Sequence, residues 1–388
     1  MKIITRSIWI LSLVSLFTDV ASEMLYPIMP VYLKSIGFSV ILIGVLEGIA
    51  EATAGLSKGY FGQLSDNSGK RVPFVRLGYT LSAFSKPLLA VYANPLWIFF
   101  SRTLDRLGKG IRTGARDAIL SDQSTKENKA TIFGFHRAFD TLGAVMGPTL
   151  ALIYLYFNPG NYKALFLIAF APGLMAVLIS FLLKEKKAEV KASSFVSFFS
   201  SISYWKHSSV SYKKVVGALL FFALFNSSDM FLLLKAKQAG LSDFSVIEAY
   251  IFYNLVYAIF SFPIGILADK IGLKSMVISG LVFFAAAYFG MAATNNLYFV
   301  FGMFFLYGLY AAASDGISKA WISNISDKKD TATAIGSFAG FQSIGALFAS
   351  SITGFIWFKF GGGTALFLPA AMAILTALYF LIFVKSER

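Results

Sequence analysis

Apolar stretches of about 20 residues recur from one end of the chain to the other, separated by short polar breaks. At 1.5 Å of rise per residue, such a stretch crosses a hydrocarbon layer of about 30 Å as a helix. The pattern predicts helices near 7–33, 39–65, 72–92, 95–120, 131–157 and 163–183, and six more near 214–238, 244–268, 273–293, 296–325, 330–357 and 363–384. Residues 184–213 form the one long interruption. Basic ends flank a Phe/Ser/Tyr/Trp stretch there, which suits an amphipathic helix on the bilayer surface as well as a plain linker. The opening MKIITRSIWILSLVSLF has the basic start and apolar core of a signal peptide. The apolar stretch nevertheless continues past Asp19 and Glu23 to Leu33, so we read it as a retained first helix.

The chain repeats itself. GQLSDNSGKR begins at Gly62 and GILADKIGLK at Gly265, an offset of 203; ILSD ending at Asp122 is matched by NISD ending at Asp327, an offset of 205. Two six-helix halves, 1–183 and 214–388, joined by the 184–213 linker, predict an all-α membrane protein with twelve transmembrane helices in two pseudo-symmetric bundles. A site at the interface of the halves is expected from that arrangement.

The formal charge of +14 does not point to nucleic acid, because most Lys and Arg residues sit in short loops. Lys70, Arg71, Lys126, Lys129, Lys184, Lys186, Lys187, Lys270, Lys274, Lys328 and Lys329 fall on one side, against Lys34, Lys163, Lys237 and Lys359 on the other. By the positive-inside rule both termini are cytoplasmic. The absence of cysteine excludes disulfides, and two histidines, His136 and His207, supply no His/Cys ligand set for a metal. No GxxxxGK[ST] loop is present for nucleotide, so an ion gradient is the expected energy source and no cofactor is required.

The predicted fourth helix breaks the apolar pattern. Between Arg102 and Asp117 seven charges occupy sixteen residues. Arg102, Asp105, Arg106, Lys109 and Arg116 share one helical face, with Arg112 beside it. Each Arg, Lys or Asp at a bilayer centre costs roughly 2.5–3.5 kcal/mol, so this face must look into protein or a water-filled cavity. Acids lie on neighbouring predicted helices: Asp19 and Glu23 four apart, Glu47 and Glu51 four apart, and Asp140 near Arg137. Two carboxylates on one face resist double ionisation and are candidates for proton coupling. Asp105 paired along its own helix, His136 with Asp140, and Arg71 with Asp117 or Asp122 would instead be structural pairs. The surplus of guanidinium groups, Arg102, Arg106, Arg112 and Arg137 together with Lys109, favours recognition of a carboxylate or phosphate.

At the same offset in the second half, Arg102 corresponds to Tyr307, Asp105 to Tyr310, Arg106 to Ala311 and Lys109 to Ser314. The few charges there are Asp229, Asp315 and Lys319, the last two spaced as an i,i+4 pair, while Tyr250, Tyr253 and Tyr257 mark one helix face. A cationic wall with Tyr307 and Tyr310 opposite it would suit an amphiphilic organic anion or zwitterion; aromatic packing is the plainer reading.

Gly62, Leu64, Asp66, Gly69, Lys70 and Arg71 meet the pattern G-x-L-x-D-x-x-G-[RK]-[RK], and a degenerate copy holds Gly265, Leu267, Asp269, Gly272 and Lys274. On these motifs the chain resembles the major facilitator superfamily over essentially its full length. The glycines allow a tight turn, and Asp66, Lys70, Arg71 and Asp269 could form a breakable ionic latch with Asp117 and Asp122. Gly143-x-x-x-Gly147-Pro148 resembles the antiporter motif of drug/proton exchangers, with Ala151 and Leu152 in place of two trailing glycines. The same spacing is also that of close helix packing. LDRLGKGIRTGARDAILSD resembles a bacterial branch whose substrates are mostly unassigned.

The resemblance implies a monomeric secondary transporter of the inner (cytoplasmic) membrane, not an enzyme. It would move a small molecule by alternating access, with antiport to protons favoured. Two alternatives stand beside it: a proton-coupled importer of an organic anion, and a divalent-metal carrier using the acid pairs.

Overall fold

The computed structural model describes residues 3–26, 28–185, 200–293 and 296–385. Among the described residues the chain is helical without strands. The helices are α1 (Arg6–Glu23), α2 (Met29–Ser35), α3 (Val40–Ser68), α4 (Val72–Val91), α5 (Pro95–Asp122), α6 (Lys129–Phe157), α7 (Tyr162–Ser180), α8 (Ser200–His207), α9 (Val210–Ala223), α10 (Met230–Gln238), α11 (Asp243–Ile271), α12 (Leu273–Ala293), α13 (Leu297–Asn324), α14 (Thr331–Phe360) and α15 (Gly362–Phe383). Short polar residues set many of the starts. Thr5, Ser39, Asn94, Asn161, Ser209, Ser242 and Asn296 each accept a hydrogen bond from an early backbone N–H of the helix that follows. Among the described residues seven helices, α6, α7 and α11 to α15, are long and apolar enough to cross a membrane by length and composition.

Two expected helices are broken. The span 7–33 divides into α1 and α2, and 214–238 into α9 and α10. Pro30 stands at the start of α2, where its missing N–H and fixed φ suit a new helix and disfavour helical backbone just before it. The second break needs no proline. Asn226, Ser227, Ser228 and Asp229 follow one another, and such side chains compete for backbone hydrogen bonds. The Ser228 hydroxyl accepts from the Met230 N–H at 3.3 Å, and the Ser228 N–H is taken by the Ser350 hydroxyl at 3.2 Å. Of the 184–213 linker, residues 186–199 lie outside the described residues, while α8 is helical and α9 starts at Val210.

The chain forms two compact units. Unit 1 comprises Met1–Gln123, Phe139–Lys206 and Asp327–Gly340; unit 2 comprises Ser124–Ala138, His207–Ser326 and Phe341–Arg388. The first turns of α6 thus belong to unit 2, and the first turns of α14 to unit 1. Within unit 1, α5 packs on α3 and α4, and α7 on α4 and α1. Within unit 2, α13 packs on α11 and α12, and α15 on α12 and α9. The order of neighbours is the same, so the sequence repeat is also a repeat of packing.

The α4–α5 crossing is tight. A Cβ on Gly78 would stand 2.6 Å from the Gly108 carbonyl oxygen. At the matching crossing in unit 2, a Cβ on Gly280 would stand 3.2 Å from that of Ala313. Small residues let these backbones approach where larger ones would not.

Candidate functional site

The charges of α5 point into unit 1. Arg102, Asp105, Arg112, Arg116 and Asp117 are buried, Arg106 is half-buried and Lys109 exposed. Their partners come chiefly from other helices, not from α5 itself. Lys86 of α4 donates to Asp105 at 2.6 Å and to Ser22 of α1 at 3.1 Å. The expected pairing of Asp105 along its own helix is therefore replaced by a bond across the α4–α5 crossing. Arg106 Nε lies 3.7 Å from Glu51 of α3, with Lys109, Lys58 and Arg102 also within electrostatic reach of that carboxylate. Glu51 is thus held among bases. The Glu47 side chain lies outside the described residues.

Arg112 is placed differently. It is 5% exposed, donates from Nη1 to Ser82 Oγ at 2.6 Å, and its guanidinium lies 4.5 Å from the centre of the Tyr79 ring. Among the described residues it makes no ion pair, and both its Nε and the Tyr79 hydroxyl are buried without a hydrogen-bond partner. A buried guanidinium with donor capacity left over is costly unless something else completes it.

The acids of α1 meet α6. The Asp19 carboxyl has Asp140, Glu23 and Lys109 in electrostatic reach. Asp140 also accepts a short hydrogen bond from Ser15, and Arg116 Nη1 lies 4.0 Å from it while Arg116 Nε holds Asp117 at 2.8 Å. Here the sequence pairing by i,i+4 spacing misses the nearer partner, since Asp19 has Asp140 from another helix. Gly143 and Gly147 make that approach possible. A Cβ on Gly143 would stand 2.6 Å from the Leu16 carbonyl oxygen, and one on Gly147 2.8 Å from that of Val20. The Gly143-x-x-x-Gly147-Pro148 motif therefore forms the α6 face that packs on α1.

Arg137 lies in the first turns of α6. It belongs to unit 2, where it bonds Asp315 at 2.6 Å; Lys319 lies 3.7 Å from the same carboxylate and Tyr257 donates to it at 3.1 Å. Asp140, three residues along the sequence, is thus no guide to the partner of Arg137, which is Asp315. In the same unit Tyr307 and Tyr310, 5.6 Å apart, belong to a ring cluster with Phe222, Tyr253, Phe284 and Tyr288.

The motif loops close on helix starts. Asp66 accepts from the Thr333 N–H and hydroxyl, both at 2.7 Å, and from the Ala332 N–H at 3.3 Å, all within unit 1. Asp269 does the same in unit 2 with Ala130, at 3.0 Å, and with Thr131, at 2.7 Å to N–H and 2.6 Å to the hydroxyl. Carboxylates suit helix N-termini because the free N–H groups and the helix dipole both favour negative charge. Arg71 adds contacts to Asp66 at 3.5 Å and Asp122 at 3.1 Å, as expected for Asp122, whereas Asp117 is taken by Arg116. Lys70 is exposed, and Gly69 turns the chain at φ 62°, a left-handed conformation that favours glycine. Sequence reasoning missed the Ala-Thr donors, yet Ala130-Thr131 and Ala332-Thr333 repeat at an offset of 202, the signal that would have found them. Lys86, Tyr79, Ser82 and Glu185, whose carboxylate takes the Arg71 and Val72 N–H groups at 3.0 and 2.9 Å, were likewise not singled out as partners.

Long apolar helices in a repeated packing order, with a charged interior, define a polytopic membrane transporter. Residues 11–256 and 216–388 match the Major Facilitator Superfamily, and the chain belongs to that family, a family of transporters and not of enzymes. An uncharacterised MFS-type transporter of Methanocaldococcus jannaschii is 32% identical over 384 residues, covering 97% of this chain and 95% of the relative. The quinolone resistance protein NorA of Staphylococcus aureus is 25% identical over 169 residues, 44% of this chain and 42% of NorA. Among solved structures, the human organic anion transporter MFSD10 superposes with a TM-score of 0.82 at 15% identity, covering 97% of this chain and 99% of the other. The Escherichia coli fucose:proton symporter FucP gives 0.79 at 14% identity, covering 98% of each. These likenesses establish the fold; small-molecule transport across a membrane follows from the family.

Proposed function

We propose that this protein is a proton-coupled secondary transporter of a small organic solute bearing a negative charge, an anion or a zwitterion, and that it works by alternating access. The observation that carries the reading is Arg112, buried, aligned on the Tyr79 ring and, among the described residues, without an ion pair and with its Nε hydrogen-bonded to nothing. The bases around Glu51, Arg106 foremost, add positive potential nearby. A divalent-metal carrier fits less well, because the acids it would use are set beside bases: Glu51 by Arg106 and Asp140 by Arg116.

Asp19 and Asp140 are the proposed proton carrier. Two carboxyl groups within electrostatic reach of each other resist double ionisation, which suits the pair to take up one proton. Loss of the proton would press α1 and α6 apart at the Gly143 contact, which links charge to helix packing. Export is favoured over import by the partial likeness to a resistance protein and by the α6 motif. We place twelve spans in two six-helix bundles, both termini cytoplasmic, in a monomer of the cytoplasmic membrane. Bacterial inner-membrane residence follows the motif resemblance.

Purified protein reconstituted in vesicles tests both parts. Wild-type protein should be stabilised against heat by small anions or zwitterions, and Arg112→Gln should lose that stabilisation while folding normally. Asp140→Asn should abolish solute movement driven by a pH gradient yet keep solute–solute exchange. Stabilisation by divalent metal alone, or unchanged gradient-driven transport in Asp140→Asn, would overturn the reading. The sign of the pH gradient that concentrates solute decides between export and import.

A further inference from the structure

Unit 2 carries one acid that the account above leaves unused. Asp229 sits where α9 ends and α10 begins, at the close of the non-helical run 224–229. Among the described residues its carboxylate makes no ion pair; it accepts a short hydrogen bond from the Tyr253 hydroxyl and one from Ser228 Oγ at 3.3 Å. A carboxylate amid apolar helices with only hydroxyl partners is incompletely balanced and calls for a positive charge.

Its surroundings say which kind. Tyr253 and Tyr307 lie 5.2 Å apart at 67°, an edge-to-face pair, and Tyr288 and Tyr307 are both in electrostatic reach of Asp229. Aromatic faces next to a carboxylate bind an organic ammonium well, because the ring quadrupole adds to the charge and the weakly hydrated cation loses little on leaving water. A small inorganic cation would ask for a shell of oxygens, which rings do not provide. A further acceptor is present. Asn226, in the same break, spends its amide N–H on the Tyr310 hydroxyl at 2.9 Å, which leaves its carbonyl oxygen buried without a partner.

We propose that unit 2 holds an ammonium subsite formed by Asp229, the Tyr253 and Tyr307 rings and the Asn226 carbonyl oxygen. This inference rests on the transport reading and narrows it: the chemistry that unit 2 recognises is an amine or quaternary ammonium group.

The test uses the full chain in lipid nanodiscs and tetramethylammonium chloride as probe, with sodium chloride at equal ionic strength as reference. Wild-type protein should show saturable binding by thermal shift that sodium does not reproduce. Asp229→Asn should weaken it by about tenfold or more, the loss expected for one charged partner, and Asp229→Glu should recover part of it. Tyr307→Leu should weaken binding through loss of the ring, whereas Tyr253→Phe, which keeps the ring and frees the carboxylate, should retain it. Melting of each ligand-free variant checks that it folds. Absence of saturable binding by wild-type protein, equal binding by Asp229→Asn, or equal stabilisation by sodium would overturn the subsite. Should anion binding and gradient-driven transport persist without ammonium binding, this inference alone fails; should ammonium bind without any proton-linked transport, the transport reading fails instead.

Discussion

Where α4 crosses α5, unit 1 buries Lys86, Asp105 and Arg112; where α12 crosses α13, unit 2 buries Phe284, Tyr288, Tyr307 and Tyr310. The two crossings are counterparts, with Gly78 matching Gly280 and Gly108 matching Ala313 in the closeness of approach. Unit 2 acts as an internal control. It reaches the same order of helix neighbours with rings in place of the charges, so the fold itself does not need Lys86, Asp105 or Arg112. Burying ions is seldom the cheapest way to hold helices together. That the charges sit in only one of two equivalent crossings fits the proposal that Arg112 serves a ligand.

Breaking a pair in unit 1 gives the largest expected effect. Asp105→Asn leaves the buried Lys86 ammonium without its counter-charge and should cost about 3–5 kcal/mol, read as a lowered melting temperature in detergent. The double change Lys86→Met with Asp105→Leu should recover most of that loss, because the matching crossing in unit 2 is apolar. A neutral Asp105→Asn would mean that the pair contributes nothing to unit 1.

Arg112→Gln should behave in the opposite manner. It removes an unpaired buried charge, so the ligand-free protein should melt no lower than wild type. Anion affinity should nevertheless fall roughly 100-fold, about 2.7 kcal/mol, as expected for loss of a charge-assisted contact. Arg112→Lys should restore little, since an ammonium cannot reproduce the planar fork or its stacking on Tyr79. A fall in melting temperature equal to that of Asp105→Asn would class Arg112 as scaffold.

The Asp66 and Asp269 contacts should respond alike, at about 1–2 kcal/mol each. Hydrogen exchange at Ala332 and Thr333 should accelerate in Asp66→Asn, and at Ala130 and Thr131 in Asp269→Asn. Acceleration in one variant only would show that the repeat is broken in function at that end. Tyr310→Phe should have the smallest effect, about 1 kcal/mol, by depriving Asn226 of its acceptor in unit 2.

Much of this was legible from the pattern of residues alone. Membrane helices and the repeat are local or periodic features, and apolar length against bilayer thickness leaves few alternatives. Family membership rests on contiguous motifs around Asp66 and Asp269, and these too need no third dimension. The charge-rich α5 announced a protected interior, because lipid would not tolerate it. The break between α9 and α10 was present as Asn-Ser-Ser-Asp, a signal that a hydropathy pattern averages away.

What the tertiary structure decided was partnership. Helical spacing offered Glu23 to Asp19 and Lys109 to Asp105, but helix crossings brought Asp140 and Lys86 instead. It grouped Arg137 with Asp315 in unit 2, and among the described residues it left Arg112 buried without an ion pair. Sequence sets which face of a helix carries a charge, through a period of 3.6 residues; which other helix meets that face depends on small residues such as Gly78 and Gly143, whose backbone approach only the assembled fold reveals.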